Sequence, residues 1–346
     1  MKTGLFKSMG KIASLAIVAC LPMTAQAQDA KVTTVLSNLL NPSGVAVQPG
    51  TGQLYVADSG ALRVLQVDPK DPSKHRSAIK GFSKDIYGKG PMYDIGPLGL
   101  VFTDKNTLVV GDGGKVDGSE LAYIYSVESG NPLEASEAKH TLGPIAAGAE
   151  SAKGEGNFYA LATNGKSVFI TSNGDDTKGW ILKFDLKGGK PGKLTPFIAT
   201  KVATNVDAPV GITMNKAGQI VVGQMGEISV PGDSLLTIYD AESGKLVANG
   251  TTGLSDIAGL AYSPKTGKLY AVDYAWLDSS KGGLFRLDVT QEGKELKVKT
   301  ELVAKLDKPT ALAFAEDGTL YITQIGTGKG GADERPGSLV KIDSGL

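Results

Sequence analysis

Residues 41–68, NPSGVAVQPGTGQLYVADSGALRVLQVD, decide the fold. They read as three short strands, SGVAV, QLYVAD and LRVLQVD, separated by turns that contain Gly and Pro. Alternating apolar residues, β-branched side chains and such turns are typical of half-buried antiparallel strands. Because three strands alone leave one face of a sheet unburied, this unit must stack against other units of the same kind.

Five further copies of the unit follow along the chain. Each copy has a small residue in its first strand and a polar residue at the end of its second strand, 12 to 14 residues later. A spacing that holds six times while the connecting loops vary indicates a true repeat. The small-residue column is Gly44, Gly99, Ala160, Gly211, Gly259 and Ala311. The polar column is Asp58, Asp112, Ser172, Gln224, Asp273 and Gln324.

The two ends of the repeat array indicate how it closes. A strand at residues 31–39 precedes the first unit, and its counterpart at 299–306 precedes the sixth. The sixth unit ends with its third strand near Asp343, so we predict that residues 31–39 supply its fourth strand and remove the exposed edges. The predicted fold class is therefore all-β, a six-bladed β-propeller of four-stranded antiparallel blades closed by the N-terminal strand. The remaining outer strands are predicted near residues 76–82, 140–145, 194–199 and 246–251.

Residues 1–27 have the pattern of a Sec-type signal peptide. Lysines begin the segment, an apolar run too short to span a bilayer follows, and AQA at 25–27 is a typical cleavage site. We expect export to the periplasm or the medium, and a mature propeller domain of residues 28–346. The alternative is a lipoprotein anchored at Cys20, because IVAC at 17–20 resembles a lipobox.

The composition excludes several classes of partner. Lys and Arg number 36 and Asp and Glu also number 36, and no basic run appears, so nucleic acid and anionic membrane surfaces are not expected to bind. Cys20 is the only cysteine, and a mature chain without disulfides must be stabilised by its core. We expect a monomer without a membrane span.

Propeller geometry predicts where function lies. The loops that lead into the first strands and leave the second strands of all blades fall at one end, which we call the loop face. Loops held on a rigid scaffold are where binding residues concentrate. We predict a ligand site there, formed by the polar column together with Tyr274 and Trp276. The alternative for Asp58, Asp112 and Asp273 is that they cap turns through hydrogen bonds to their own loops. The rings of Tyr93 and Tyr159 are further candidates for stacking against a ligand. Alternatively, Tyr159 fills the core between two blades.

The first unit resembles an NHL repeat. The pattern is P-x-G-V-A-V, then L-Y-V-A-D, then a basic residue before a β-branched one, although Ala61 stands where the family usually has Asn. The resemblance extends over residues 31–343 and implies the propeller fold. The matching residues are Pro42, Gly44, Tyr55, Val56, Asp58, Arg63 and Val64.

The chain is also distantly similar to the gluconolactonase and senescence-marker propellers. That resemblance implies a divalent cation, calcium or magnesium, at the tunnel mouth, with Glu155, Asn157 and Asp273 as its ligands in this chain. The family's two Asn ligands directly precede the small residue of an inner strand. Here those positions hold Ser43, Leu98, Val210 and Ala258.

The sequence is compatible with three functions of the loop face. The favoured one is non-catalytic binding of a small polar molecule, a glycan or a protein partner on the loop face, with no cofactor. The alternative is a metal-dependent lactonase or esterase of the gluconolactonase type. The third is a lyase activity, because the fold also resembles that of the streptogramin-cleaving lyases. Such a lyase requires a catalytic histidine. His75 and His140 fall outside the predicted inner strands, which favours exposed surface positions for both.

Overall fold

The computed structural model describes residues 1, 30–88, 90–175, 177–328 and 334–346. The predicted signal peptide, residues 1–27, lies outside the described residues apart from Met1, as does Cys20. In the described part of the chain no helix is both long and apolar enough to cross a membrane.

The described ranges form 28 strands and one short α-helix. In chain order the strands are β1 Val32–Leu39, β2 Pro42–Val47, β3 Leu54–Asp58, β4 Arg63–Val67, β5 Arg76–Lys80, β6 Asp85–Tyr87, β7 Tyr93–Ile95, β8 Pro97–Phe102, β9 Thr107–Asp112, β10 Ala122–Ser126, β11 Leu133–Glu134, β12 His140–Leu142, β13 Leu161–Thr163 and β14 Ser167–Ser172. They continue with β15 Trp180–Lys187, β16 Lys190–Pro191, β17 Thr195–Ala199, β18 Pro209–Met214, β19 Ile220–Gln224, β20 Leu235–Tyr239, β21 Leu246–Thr251, β22 Ile257–Tyr262, β23 Leu269–Asp273, β24 Gly283–Glu292, β25 Glu295–Lys305, β26 Pro309–Phe314, β27 Leu320–Gln324 and β28 Gly337–Ile342. The α-helix, α1, is Thr200–Thr204, and single 3-10 turns occur at Ser59–Ala61, Pro72–Lys74, Ala135–Glu137 and Ser279–Lys281.

Twenty-four of the described strands form six four-stranded antiparallel blades, and two short strands extend these, since β11 pairs parallel with β5 and β16 pairs antiparallel with β15. From the innermost strand outward, blade 1 is β2 to β5, blade 2 is β8, β9, β10 and β12, and blade 3 is β13, β14, β15 and β17. Blades 4 and 5 are β18 to β21 and β22 to β25, and a single parallel pairing joins β21 to β25. Blade 6 is β26 to β28 with β1 outermost. The outer strands β5, β12, β17 and β21 lie where the sequence predicts them.

The first strand of the fold closes the ring. β1 pairs antiparallel with β28, with Val32 opposite Ile342 and Leu39 opposite Gly337. Leu39 is buried between blades 6 and 1, where it packs in one cluster with residues of both. The predicted propeller of four-stranded antiparallel blades closed by the N-terminal strand is therefore confirmed.

The core consists of six apolar clusters, one for each pair of neighbouring blades. Since the sixth cluster joins blade 6 to blade 1, the stacking forms a complete circle, and each blade buries both of its faces. Each cluster contains residues of both neighbouring blades, for example Tyr55 and Tyr125, Ile124 and Phe184, Phe169 and Ile212, Leu236 and Leu260, Tyr270 and Ile322, and Leu339 and Val56.

The small-residue column marks where neighbouring inner strands approach most closely. A Cβ on Gly44 would lie 2.2 Å from the carbonyl oxygen of Leu98 in the next blade, and one on Gly99 would lie 2.5 Å from that of Tyr159. No side chain fits at such distances, so glycine is required at these positions for the strands to converge on the axis.

One insertion breaks the sixfold repetition. Between blades 1 and 2 the chain forms a hairpin of β6 and β7, in which Asp85 pairs with Ile95 and Tyr87 with Tyr93. The sequence indicates an insert here but not its strands. We call this element the mouth hairpin, because it lies on the loop face.

Candidate functional site

A cavity of about 570 Å³ lies at the centre of the loop face. This volume is in the range of sites that hold small molecules. Beneath its floor the axis narrows to a channel of about 60 Å³, lined by inner-strand residues that include five of the six members of the small-residue column. The floor consists of the six residues that directly precede that column, one from each blade: Ser43, Leu98, Tyr159, Val210, Ala258 and Thr310.

The hydroxyl groups of the floor are already used within the protein. Ser43 Oγ donates to the carbonyl oxygen of Pro97 at 3.2 Å, and Thr310 Oγ1 donates to that of Pro42 at 2.7 Å. The Tyr159 hydroxyl donates to the Thr310 carbonyl at 3.2 Å. The floor therefore offers a ligand mainly apolar surface, and its polar recognition must come from the walls.

A third column, which the sequence analysis missed, shapes the rim of the floor. It stands three residues before the small-residue column, and we call it the lead-in column: Asn41, Gly96, Asn157, Ala208, Asp256 and Lys308. Four members are left-handed, with φ of 49° at Asn41, 48° at Asn157, 52° at Ala208 and 53° at Lys308. This conformation turns the chain from the mouth into the inner strand, and Asn adopts it more readily than most residues. Its constant spacing was the signal that could have revealed it.

One wall of the cavity is aromatic. Tyr274 and Trp276 of blade 5 lie with ring centroids 5.0 Å apart, and Trp276 meets the ring of Tyr93 edge-on at 6.1 Å and that of Tyr87 at 6.5 Å. Trp276 Nε1 also donates to the carbonyl oxygen of Gly90 at 3.2 Å. The mouth hairpin, which leaves the ring between blades 1 and 2, is thus fastened across the mouth to blade 5. All four aromatic residues line the cavity, including the predicted Tyr274 and Trp276.

A hydroxyl pair stands within this aromatic wall. The hydroxyl oxygens of Tyr93 and Tyr274 lie 2.6 Å apart, and Lys308 Nζ donates to the Tyr93 hydroxyl at 3.3 Å. The Lys308 ammonium also lies 6.0 Å from the centroid of the Tyr93 ring. Burial raises the pKa of Tyr274 far above its usual value, and the neighbouring Tyr93 hydroxyl adds to the effect, so Tyr274 stays protonated.

The opposite wall, from blades 2 and 3, is polar. Asp117, Lys153, Asn157 and Asn173 line it, and Asn173 Nδ2 is held by the carbonyl oxygen of Pro209 at 2.9 Å. The described lining as a whole contains four carboxylates and two ammonium groups, an excess of negative charge that disfavours anionic ligands. They are Asp85, Asp117, Asp207 and Glu227 against Lys153 and Lys201, and Lys201 is paired with Asp207 at 2.6 Å.

The polar column lies behind the cavity rather than in its described lining. Asp58 accepts from Leu40 N at 2.7 Å and pairs with Arg63 at 2.8 Å, while Gln224 Nε2 donates to the Val206 carbonyl at 2.6 Å. These bonds fix the loop that leads into the same blade, as a turn cap does. The other members bind loop backbone in the same way: Asp112 to Gly114, Ser172 to Gly156, Asp273 to Ser255, Asp256 and Ala275, and Gln324 to Asp307.

Buried carboxyl groups support the lining residues from behind. Glu120 accepts from the backbone N–H of Asn157 at 2.5 Å, and Asp256 accepts from that of Trp276 at 2.6 Å. Burial raises the pKa of Glu120 to about 9 and that of Asp256 to about 6. Glu155, whose pKa burial raises to about 7, accepts from Ser172 Oγ at 2.7 Å.

The predicted cation ligands do not form a cation site. Asn157 lines the cavity, but Glu155 is buried against Ser172, and Asp273 is occupied by backbone N–H groups of blade 5. Among the described residues no group of three or more His, Cys, Asp or Glu side chains is placed to hold a metal ion. The floor positions add only hydroxyl and apolar groups. The residues present thus do not fit the divalent cation that the resemblance implies.

Both histidines lie away from the cavity. His75 follows a 3-10 turn at the outside of blade 1, and His140 is in the outer strand β12, where both side chains are exposed. This placement agrees with the prediction of solvated surface histidines.

The fold is similar to that of several sugar-related propellers. The fold matches that of a glucose dehydrogenase over 91% of this chain and 100% of that protein, with a TM-score of 0.60 at 16% identity. The soluble aldose sugar dehydrogenase of Escherichia coli matches over 90% of this chain and 99% of its own, with a TM-score of 0.60 at 12% identity. A gluconolactonase from Xanthomonas campestris matches over 90% of this chain and 88% of its own, with a TM-score of 0.57 at 14% identity. At such identities the likeness establishes the propeller fold alone.

Sequence comparisons add no closer relation. No family model matches the chain, and no curated protein sequence matches it.

Proposed function

We propose that the loop-face cavity binds a neutral, ring-shaped polar molecule of the sugar or sugar-lactone class. The observation that carries this proposal is the pairing of an aromatic wall, Tyr274 and Trp276, with a polar wall that includes Asn157 and Asn173. A sugar ring has an apolar C–H face and a hydroxyl-bearing edge. The first packs on an aromatic ring and the second hydrogen-bonds to amides, so the two walls are complementary to it.

The charge of the lining supports a neutral ligand within that class. The described lining carries four carboxylates against two ammonium groups, and this net negative charge favours a neutral sugar or lactone over a sugar acid. The solved propellers of similar fold include proteins named for glucose, aldose sugar and gluconolactone chemistry, which points to the same class of ligand.

The two tryptophans of the chain allow a direct test. Trp276 lines the cavity, while Trp180, the only other tryptophan, is buried in blade 3 with its Nε1 bonded to the Glu150 carbonyl. In a Trp180→Phe variant the emission reports Trp276 alone. We expect a saturable emission change on titration with one member of a panel of monosaccharides, sugar lactones and sugar acids, and weaker binding of the acids.

Calorimetry with the same ligands supplies the control. Trp276→Ala should weaken binding by about tenfold or more, because it removes the stacking surface, while Trp180→Phe should leave the dissociation constant unchanged. If no member of the panel binds the wild type at millimolar concentration, the proposed class of ligand is wrong.

A second candidate is hydrolysis of the bound lactone. The likeness to a gluconolactonase favours it, as does the Tyr93–Tyr274–Lys308 arrangement, which offers hydrogen-bond donors to a carbonyl group. Following acid release over the same lactones separates turnover from binding alone. Because the site lacks a fitting set of cation ligands, any turnover should persist in the presence of a chelator.

Export, a monomeric state and the absence of a cofactor are further parts of this proposal, and their support is the sequence. A small-molecule site of this kind suits an exported protein whose domain begins at residue 28.

A further inference from the structure

We propose that Tyr93, Tyr274 and Lys308 form a donor site for the carbonyl oxygen of a sugar lactone, and so distinguish a lactone from the corresponding ring without the carbonyl. This inference rests on the proposed function and names the group that the aromatic wall recognises.

A count of hydrogen-bond donors carries the argument. The two hydroxyl groups share one short contact of 2.6 Å, which uses one of their two hydrogens. The Lys308 ammonium donates to the Tyr93 oxygen and removes one of its acceptor sites. Whichever tyrosine donates to the other, one O–H hydrogen has no acceptor among the residues that the structure describes, and both tyrosines line the cavity. Tyr274 is buried and Tyr93 is half-buried, and such hydroxyl groups generally find a partner, so the free O–H is available to a ligand oxygen in the cavity.

The charge of Lys308 favours a carbonyl over a hydroxyl group in that position. A lactone carbonyl oxygen carries substantial partial negative charge and has no hydrogen of its own. An ammonium group that donates to Tyr93 polarises its O–H bond and strengthens the bond that Tyr93 makes to such an acceptor. Since burial keeps Tyr274 protonated, the pair acts as a donor throughout the neutral pH range.

The placement of the three residues is also suitable. Lys308 belongs to the lead-in column, with a left-handed φ of 53°, and reaches the cavity lining through the hydroxyl group of Tyr93. Tyr93 comes from the mouth hairpin and Tyr274 from blade 5, so the donor site forms only where the hairpin is fastened across the mouth. It adjoins the Trp276 ring, on which the sugar ring is proposed to stack.

Two probes test for the carbonyl group; they also differ in the ring atom, which is N–H in the lactam and oxygen in the anhydro sugar, so the variants below assign the preference. A six-membered sugar lactam keeps the ring carbonyl and survives in water, and the corresponding 1,5-anhydro sugar has the same hydroxyl groups but no carbonyl. Calorimetric titration of both into the full exported chain measures the preference for the carbonyl as a ratio of dissociation constants. We expect wild type to bind the lactam about ten- to a hundredfold more tightly, as hydrogen bonds from charge-supported donors typically contribute.

Three variants assign this preference to the donor site. Tyr93→Phe and Lys308→Met should each reduce the lactam preference by about tenfold while leaving the affinity for the anhydro sugar unchanged. The control is Tyr123→Phe, since Tyr123 accepts a hydrogen bond from Lys115 at 2.6 Å in the same kind of Tyr–Lys pair but lies outside the described lining. It should leave both affinities unchanged.

The outcomes separate the two proposals. If wild type binds both probes equally, or if Tyr93→Phe weakens both to the same extent, the carbonyl assignment is wrong while the sugar site stands. If wild type binds a sugar of the panel but neither probe, the carbonyl assignment is wrong, and if it binds no sugar at all, both proposals fail. A reduced preference in Tyr93→Phe and Lys308→Met, but not in Tyr123→Phe, supports the donor site.

Discussion

Asp273 illustrates how much a single buried carboxylate does in this fold. One oxygen, Oδ1, accepts from the backbone N–H groups of Asp256 and Ala275, and the other, Oδ2, accepts from that of Ser255. The residue closes β23 and ties together the loop before the blade and the loop after its second strand. A turn cap that uses a single acceptor atom would let Asn replace Asp273 at a cost of about 1 kcal/mol or less. The geometry requires both oxygens as acceptors.

We therefore predict a larger effect for Asp273→Asn. The amide NH₂ group would face the Ser255 N–H, donor against donor, and leave both unsatisfied in a buried site, which should lower the free energy of unfolding by about 1–3 kcal/mol. Asp240→Asn is the control, because there one oxygen accepts both bonds from Ser243 in an exposed turn. Urea denaturation of the two variants measures the difference, and equal effects would contradict this account.

Glu120 offers a test of buried charge. Its pKa rises from 4.5 to about 9 on folding, chiefly through burial, so between these values the folded chain binds a proton that the unfolded chain has lost. The stability that this proton confers is complete below the unfolded pKa and is lost as the pH rises through the folded one, by up to about 1.4 kcal/mol per pH unit.

Replacing the carboxyl group by an amide removes this dependence. For Glu120→Gln we predict that the free energy of unfolding, relative to wild type, increases steadily from pH 5 to pH 9, because Gln stays neutral and its oxygen can still accept from Asn157 N. Denaturation curves at a series of pH values provide the measurement. Parallel pH profiles for the two proteins would show that Glu120 is ionised in the fold.

The residues of the candidate site could be predicted only in part. Tyr274 and Trp276 lie in the cavity because they follow the end of a second strand, a position that the repeat locates. The polar column was found by the same spacing, but spacing does not reveal whether a carboxylate faces a ligand or its own loop. The carboxylates of Asp58 and Asp273 face their own loops, because each loop contains backbone N–H groups that need buried acceptors.

At the scale of elements, the repeat predicted the strands and missed the mouth hairpin. Strand positions follow from local alternation of apolar residues, which each copy repeats. The hairpin occurs once, and its residues Tyr93 and Gly90 are bonded to Tyr274 and Trp276, more than 180 residues further along. Single-copy elements fixed by distant contacts have no counterpart within the sequence from which they could be recognised.

The closing strand β1 is the element whose removal should matter most. We predict that deleting residues 30–39 from the chain that begins at residue 28 abolishes cooperative unfolding or causes aggregation, because β28 becomes an exposed edge. The milder change Leu39→Ala, at a side chain only 1% exposed, should lower the free energy of unfolding by about 2–5 kcal/mol. Thermal melts followed by circular dichroism check both, and a truncated chain that melts cooperatively would rule out closure by this strand.

At the scale of the whole molecule, the ring was predictable because its parts repeat. Each blade leaves two apolar faces, and six inter-blade clusters cover all twelve without a cap at either end. The sequence reveals this through the spacing of its two columns. It does not reveal the shape of the mouth, since the six loops differ in length and composition and meet only after the ring has formed.

The pairing of β1 with β28 also has a consequence for the order of folding. During synthesis the residues of β1 emerge before every other described strand, yet their only partner in a sheet emerges last. Blades 1 to 5 contain all of their own strands and can form as they appear, whereas the last blade has to wait for the whole chain. Because contacts so distant in sequence form slowly, the seam is expected to be the final part of the ring to assemble and the part most exposed to mispairing between chains.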